Sequence, residues 1–523
     1  SIIHRNRVEF ELAVQRIEQE ITDDGDEGFK KDGSFFQHGK QNQTMSNYGR
    51  SVIRLANLLT LIDKTSRHFS LEKLKILTRY ILKGISRGTF KGYNNYLETG
   101  REYARGKGYG ESSPYLGLEK YLELPDLPAR REFENFVSKL KVGRPTFNGI
   151  TYFADSKLVT LNLDGLYIAF EGSDPNIVNT ECVNGENKLG LNLSYGTNTC
   201  VMDEGDEYNN IAPLWDYAYL PGTTSFAVNG DYPSNPSIEE QEEWLEESDE
   251  IIKKIVWKGG ISSYNDSTFE KLLPESTPDN DYVYSAHEDK NNNVVCLMQR
   301  SCHHQDNNFT VTAIACEDGM FLMGADLKYA GKSSEFLKNP NPEIHTTIEQ
   351  CHYKGNDNFV LSEDGKELIH GNALYTIYDE EDNEDKKTIE VRGLKGDGSV
   401  DYEVHGDWGR NRGVETATPE PEPATGKVLL AYINHGQAFS NGTPNVYKYA
   451  YSIRPKSYKE LYEDREFKLL RNFDNNVKVQ EVELPHDKGE EVRVAIASYG
   501  NYPEYETYTG KKIKLEPGDF VII

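Results

Sequence analysis

Asp32-Gly33-Ser34-Phe35-Phe36-Gln37-His38-Gly39-Lys40-Gln41-Asn42-Gln43-Thr44-Met45-Ser46-Asn47-Tyr48-Gly49-Arg50 is the stretch on which the reading of this chain turns. It opens with Asp-Gly, a turn signal. It collects a His, a Tyr, an Arg and a run of amides between two segments of helical periodicity. Such a segment is built to present polar groups, and a loop held on a rigid helical scaffold is where reactive side chains tend to sit.

On its N-terminal side, Phe10, Val14, Ile17 and Ile21 lie three or four apart, the stripe of an amphipathic helix over residues 7–22. On its C-terminal side, Val52, Leu55, Ala56, Leu59 and Ile62 repeat the pattern. Leu74, Leu77, Ile81 and Ile85 form a third stripe with Ser70 placed as an N-cap, and two prolines introduce a fourth helix near residues 128–140. Residues 91–119, rich in Gly and Tyr, read as a long irregular segment, and loops of that length inside a domain are usually functional.

Beyond Pro145 the period changes from 3.6 to 2. Residues 157–163, 310–316, 427–433 and 492–498 read as short strands bounded by Gly, Asn or Asp. Strands in this number without intervening helices predict large antiparallel sheets packed face to face. Residues 239–250 read as one acidic helix, and residues 379–387 and 418–424 as solvated loops. The expected architecture is α+β and multidomain: helices over residues 1–145, a central antiparallel β-sandwich over 146–480 and a small β segment over 481–523. At 523 residues, more than one core is needed.

The net charge of −27 argues against nucleic acid or an anionic membrane surface as partner, since both need a basic face. It leaves room for an anionic substrate held by a local basic cleft. Six dispersed cysteines without CxxC spacing suggest buried small side chains, with one or two disulfides allowed. No apolar run approaches the roughly 20 residues that span a bilayer. The aromatic surplus, 33 Tyr and 21 Phe against 5 Met, suits sheet surfaces and sugar-stacking clefts.

Four clusters carry chemistry-bearing residue types. His38 and Tyr48 pair a hydrogen-bonding imidazole with a phenol that can serve as base and then acid, and a structural loop remains the competing reading. Arg101, Arg105 and Lys107, in a Gly-rich segment, offer guanidinium forks for carboxylate or sulfate. Glu181 and Asn184 fall in an Asn-Gly turn. Glu204, Asp206, Asp216 and Tyr217 supply hard oxygen near a Gly, which calcium favours, although a plain acidic loop explains them equally.

In this order the clusters resemble polysaccharide lyase family 8, the chondroitin AC, hyaluronan and xanthan lyases. The resemblance rests on Asp32-Gly33-Ser34-Phe35-Phe36-Gln37-His38-Gly39, Tyr48-Gly49, Gly100-Arg101 with Arg105-Gly106, Asn184-Gly185-Glu186-Asn187, and Gly205-Asp206-Glu207-Tyr208 followed by Trp215-Asp216. It implies an α/α toroid followed by a β-sandwich and β-elimination on an acidic polysaccharide such as chondroitin or hyaluronan, in an extracytoplasmic setting. It implies Tyr48 as proton abstractor and then donor, His38 beside the substrate carboxylate, and Arg101 close to Tyr48. Arg105, Gln41, Asn184 and Lys107 fall to substrate binding and Glu181 to orienting the Arg. No cofactor is required, and a structural calcium at Glu204, Asp206, Asp216 and Tyr217 is left open.

Two departures stand out. The His38 to Tyr48 interval of ten is one longer than the commonest family spacing, and no residue upstream of His38 matches the family's carboxylate-neutralising Asn. The resemblance therefore predicts a toroid lacking its N-terminal part, completed by a separate fragment. Two other classes compete: a glycoside hydrolase using Asp32 and Glu181 as paired carboxylates, and a non-catalytic glycan-binding protein.

Overall fold

Apolar spacing of three and four residues does produce helices at the N-terminal end. In the computed structural model, α1 spans Arg7–Glu20, α2 Ser51–Asp63, α3 Leu71–Arg79 and α4 Arg130–Lys141. The residues described are 6–105, 113–172, 177, 187, 197–217, 219–227, 284–291, 293–304, 307–329, 343–380, 386–408, 423–461, 465–474 and 476–523. Phe133, Phe136, Val137 and Leu140 of α4 share one core with Val52, Ala56 and Leu59 of α2 and Leu74 and Leu77 of α3. Asn6 caps α1 by accepting the Glu9 N–H at 3.3 Å. Ser70 does not cap α3 with its side chain; its own N–H instead donates to Glu18 Oε1 at 2.7 Å.

α3 runs into a widened turn of i→i+5 type at Tyr80–Ile85, the kind of irregularity that clusters near functional sites. It packs closely on the loop, where a Cβ on Gly84 would run into the Gly33 carbonyl oxygen. The described residues within 91–119 form short regular elements. Thr89–Phe90 pairs with Tyr93–Asn94, and 3₁₀ turns follow at Tyr96–Glu98, Gly100–Arg105 and Ser113–Glu123.

From Gly149 onward the strand pairs are antiparallel. Gly149–Phe153, Leu158–Leu163, Leu166–Gly172 and Thr197–Met202 form a four-stranded meander. An eight-stranded sheet has Gly319–Tyr329 and Tyr447–Pro455 at its centre, and a five-stranded sheet is built on Pro423–Gln437 and Glu343–His352. Alternation explains how the eight-stranded sheet is buried on both faces. Val295, Leu297, Val311, Ala313 and Leu322 face one core, while Cys296, Met298, Ile314, Phe321 and Met323 face another, shared with Leu469, Val482 and Ala497.

Those last residues belong to a C-terminal four-stranded sheet of Lys468–Asp474, Val477–Glu483, Val494–Ser498 and Phe520–Ile522. It draws strands from both sides of residue 480, because Val477–Glu483 pairs with Val494–Ser498. Cys200, Cys296, Cys316 and Cys351 are free and buried; the Cys182 and Cys302 side chains lie outside the described residues, as does the helix expected at 239–250. Among the described residues, no helix is long and apolar enough to cross a membrane.

Candidate active site

The loop over residues 32–50 is fixed at its base before any reactive group is placed. Asp32 is buried, and its carboxylate accepts the Ser34 N–H at 2.9 Å, the Ser34 hydroxyl at 2.6 Å and the Asp155 N–H of the sheet region at 2.7 Å. Two of these bonds hold the turn and the third ties it to the sheet region. The Tyr80 hydroxyl donates to the Thr44 carbonyl at 2.9 Å, and Met45 N–H to the Glu98 carbonyl at 3.0 Å. Gly49 is obligatory here, since a Cβ would strike the Thr44 carbonyl and the Tyr80 hydroxyl.

On this base the loop brings His38 and Tyr48 together. The Tyr48 hydroxyl lies 3.0 Å from His38 Nε2, with the rings edge to face at 4.9 Å between centroids. The ten-residue interval is absorbed by a tight turn, with His38 at φ 58° and Gly39 at φ 82°. Glu27 holds both neighbours of His38, accepting from Gln37 Nε2 at 2.9 Å and from Gly39 N–H at 2.6 Å.

Gln41 is buried beneath the loop, its Oε1 accepting Gln43 Nε2 at 2.8 Å. The second cluster lies against the first: a Cβ on Gly100 would collide with the Gln43 amide. Arg101 is 5% exposed, and Arg105 Nη1 stands 3.7 Å from Glu102 Oε1. Tyr103, between them, donates from its hydroxyl to Asn187 Oδ1 and packs 5.5 Å from the Trp215 ring, so this segment also touches the sheet region. Lys107, Glu181 and Asn184 lie outside the described residues.

Two carboxylates that the sequence did not single out complete the junction. Glu102 accepts the Asn47 N–H at 2.9 Å and Arg50 Nη2 at 3.1 Å. Its position between Arg101 and Arg105 was a usable signal, since a carboxylate flanked by guanidiniums is set to pair. Glu98 accepts Asn95 Nδ2 at 3.1 Å and Asn42 Nδ2 at 3.5 Å. Burial raises its pKa to about 8; the two amides oppose the rise and the Asp32 charge adds to it. Nothing in the local sequence around Glu98 announces this.

The structure does not assemble the calcium set. Glu204 pairs with Lys91 at 3.3 Å, Asp206 with Lys354 at 2.9 Å and Asp216 with Arg392 at 3.1 Å, while the Tyr217 hydroxyl donates to the Ala212 carbonyl at 3.0 Å. Each of these three carboxylates pairs with a protein cation, and Lys354 also serves Glu207 at 2.6 Å. The acidic run is a turn organised by Glu207, which accepts the Asp203, Glu204 and Gly205 N–H groups. Among the described residues, no group of three or more His, Cys, Asp or Glu is placed to hold a metal ion.

A helical domain joined to stacked antiparallel sheets, with the polar loop at the junction, defines the class of polysaccharide lyases built from an α/α toroid and a β-sandwich. The family models agree. Residues 1–138 match the polysaccharide lyase family 8 N-terminal alpha-helical domain and residues 148–464 its super-sandwich domain, and the chain belongs to that family.

Among relatives, the chondroitinase-AC of Pedobacter heparinus is 26% identical over 208 residues, a stretch covering 38% of this chain and 29% of that protein. The chondroitin AC lyase of Streptomyces coelicolor A3, solved with chondroitin sulphate, superposes with a TM-score of 0.66 at 16% identity, covering 100% of this chain and 66% of its own. A Paenibacillus xanthan lyase gives 0.62 at 14% identity, covering 91% and 44%. The family's helical domain is matched within this chain itself, and nothing supports the separate fragment expected from the sequence.

Proposed function

We propose that this protein cleaves a uronic-acid-containing polysaccharide of the chondroitin type by β-elimination, with Tyr48 as base and then acid. The observation that carries this reading is the 3.0 Å contact between the Tyr48 hydroxyl and His38 Nε2, on a loop packed against the segment bearing Arg101 and Arg105, within a family 8 fold.

The chemistry follows from what the reaction needs. The C5 proton of a uronic acid is only weakly acidic, so its removal requires a nearby base and positive charge or hydrogen bonds for the charge that develops on the carboxylate. Tyr48, as phenolate, takes the C5 proton; the freed electron pair forms the C4=C5 double bond and the C4–O bond breaks. The departing oxygen then takes the proton back from Tyr48, which returns to its starting state. His38 donates towards the substrate carboxylate, and Arg101 and Arg105 supply cationic forks for carboxylate or sulfate in a chain of net charge −27. Asn184 and Lys107 complete the sugar contacts and Glu181 orients the Arg, while Gln41, buried and bonded to Gln43, holds the loop instead of the sugar. No cofactor is called for, and a polymeric substrate of this kind places the protein outside the cytoplasm.

Tyr48→Phe tests the assignment. It removes one oxygen and leaves the ring packing, so turnover of chondroitin sulfate falls by about 1,000-fold or more while binding persists. Retained turnover would take Tyr48 out of the mechanism.

A further inference from the structure

Tyr48 is held from both sides by a side chain to which the reaction above gives no role. The Glu102 side chain, 5% exposed, takes the Asn47 N–H on Oε1 and Arg50 Nη2 on Oε2. Asn47 and Arg50 lie one residue before and two after Tyr48. The same Oε1 is the ion-pair partner of Arg105, and Arg101 is the chain neighbour of Glu102. A carboxylate stays ionised at such depth only when it is paired, and here its partners are the turn under Tyr48 and a guanidinium of the anion-binding segment.

The loop has other ties at its base that do not involve Glu102. Its base is already tied through Thr44 to Tyr80 and through Met45 to the Glu98 carbonyl. What Glu102 adds is a hold on residues 47–50 and on the gap between them and the Arg101 to Arg105 segment.

Resting on the elimination by Tyr48, we propose that Glu102 is a positioning residue: its carboxylate sets the Tyr48 turn in register with Arg105, so that base and anion contact meet one sugar unit together. It acts through Tyr48 and Arg105 and takes no proton itself. Misplacing a reactive group by about 1 Å costs on the order of 100-fold in rate. Glu102→Gln keeps the volume and the acceptor for Asn47 but turns an amide N–H₂ towards the guanidiniums.

The test measures kcat and KM on chondroitin sulfate for Glu102→Gln, Glu102→Asp and Tyr48→Phe, with the folded fraction followed by circular dichroism. The expected result is a kcat about 100-fold lower for Glu102→Gln with KM within about threefold, and recovery of at least about a tenth of wild-type kcat in Glu102→Asp. A Glu102→Gln protein that turns over normally, or loses activity only in proportion to its folded fraction, overturns the proposal. Normal turnover by Tyr48→Phe contradicts the elimination reading itself, whereas a dead Tyr48→Phe beside a normal Glu102→Gln contradicts the Glu102 role alone. Should Glu102→Gln fail to fold, Arg50→Gln, which keeps the Asn47 tie, is expected to lower kcat at least about fivefold, and wild-type kcat there overturns the proposal.

Discussion

The loop that carries Tyr48 and the core of the large sheets each enclose a carboxylate, and they keep it there by different means. Glu102 is held by guanidinium and backbone N–H. Glu349, in the strand Glu343–His352, accepts the hydroxyls of Tyr208 at 2.7 Å and Tyr375 at 2.6 Å and the Gln350 N–H at 2.9 Å, with no cation among these bonds. Burial raises the Glu349 pKa to about 7, against the lowering effect of those bonds. At Glu102 the fold places guanidinium groups around the acid. At Glu349, between stacked sheets, the partners are neutral hydroxyls and a backbone N–H, and the carboxyl titrates near pH 7.

The sharpest way to break the contrast is at the loop. Gly49→Ala drives a methyl into the Thr44 carbonyl and the Tyr80 hydroxyl, and the expected outcome is a stability loss of about 3 kcal/mol in urea unfolding together with loss of turnover. Wild-type behaviour would mean that the loop is loosely held and the comparison false.

Of comparable size but dependent on pH is the effect at Glu349. Its folded pKa is raised from 4.5 to about 7, so between those values the unfolded chain releases a proton that the folded one retains, and stability falls as pH rises. Below the lower value both states are protonated and nothing is lost. Above the upper value the loss is complete, on the order of 3 kcal/mol. Glu349→Gln can still accept from Tyr208 and Gln350 and donate to the rotatable Tyr375 hydroxyl, so its melting temperature should decline less than the wild type between pH 5 and about 8. Parallel curves would contradict the assignment.

The smallest effect concerns metal. Because Asp216 is paired with Arg392 and Asp206 with Lys354, adding calcium or a chelator should leave the melting temperature and any turnover unchanged within replicate scatter. A calcium-dependent rise in melting temperature would show that these cations yield to a metal.

Much of this was legible in the residues. Helical stripes such as Val52, Ala56 and Leu59 are local signals, and period-2 segments such as residues 310–316 announced strands. His38 and Tyr48 stand out because a loop gathers its polar groups in one short stretch. What stayed hidden depends on contacts distant in sequence. Glu102 meets Asn47 across 55 residues and Glu349 meets Tyr208 across 141, distances over which no spacing rule operates. The pairing of Asp216 stayed hidden for the same reason, since Arg392 lies 176 residues from it. Likewise, pairing of Val477–Glu483 with Val494–Ser498 carries the C-terminal sheet across residue 480, where the sequence reading sets a boundary.

The central claim is that bond cleavage proceeds by elimination at Tyr48. Mass spectrometry of the fragments released from a defined chondroitin oligosaccharide tests it most directly. Elimination adds no water, so the account predicts fragments whose masses sum to that of the parent, one of them carrying an ultraviolet-absorbing unsaturated uronate. Fragments summing to the parent plus one water, without that absorbance, would establish hydrolysis and contradict it.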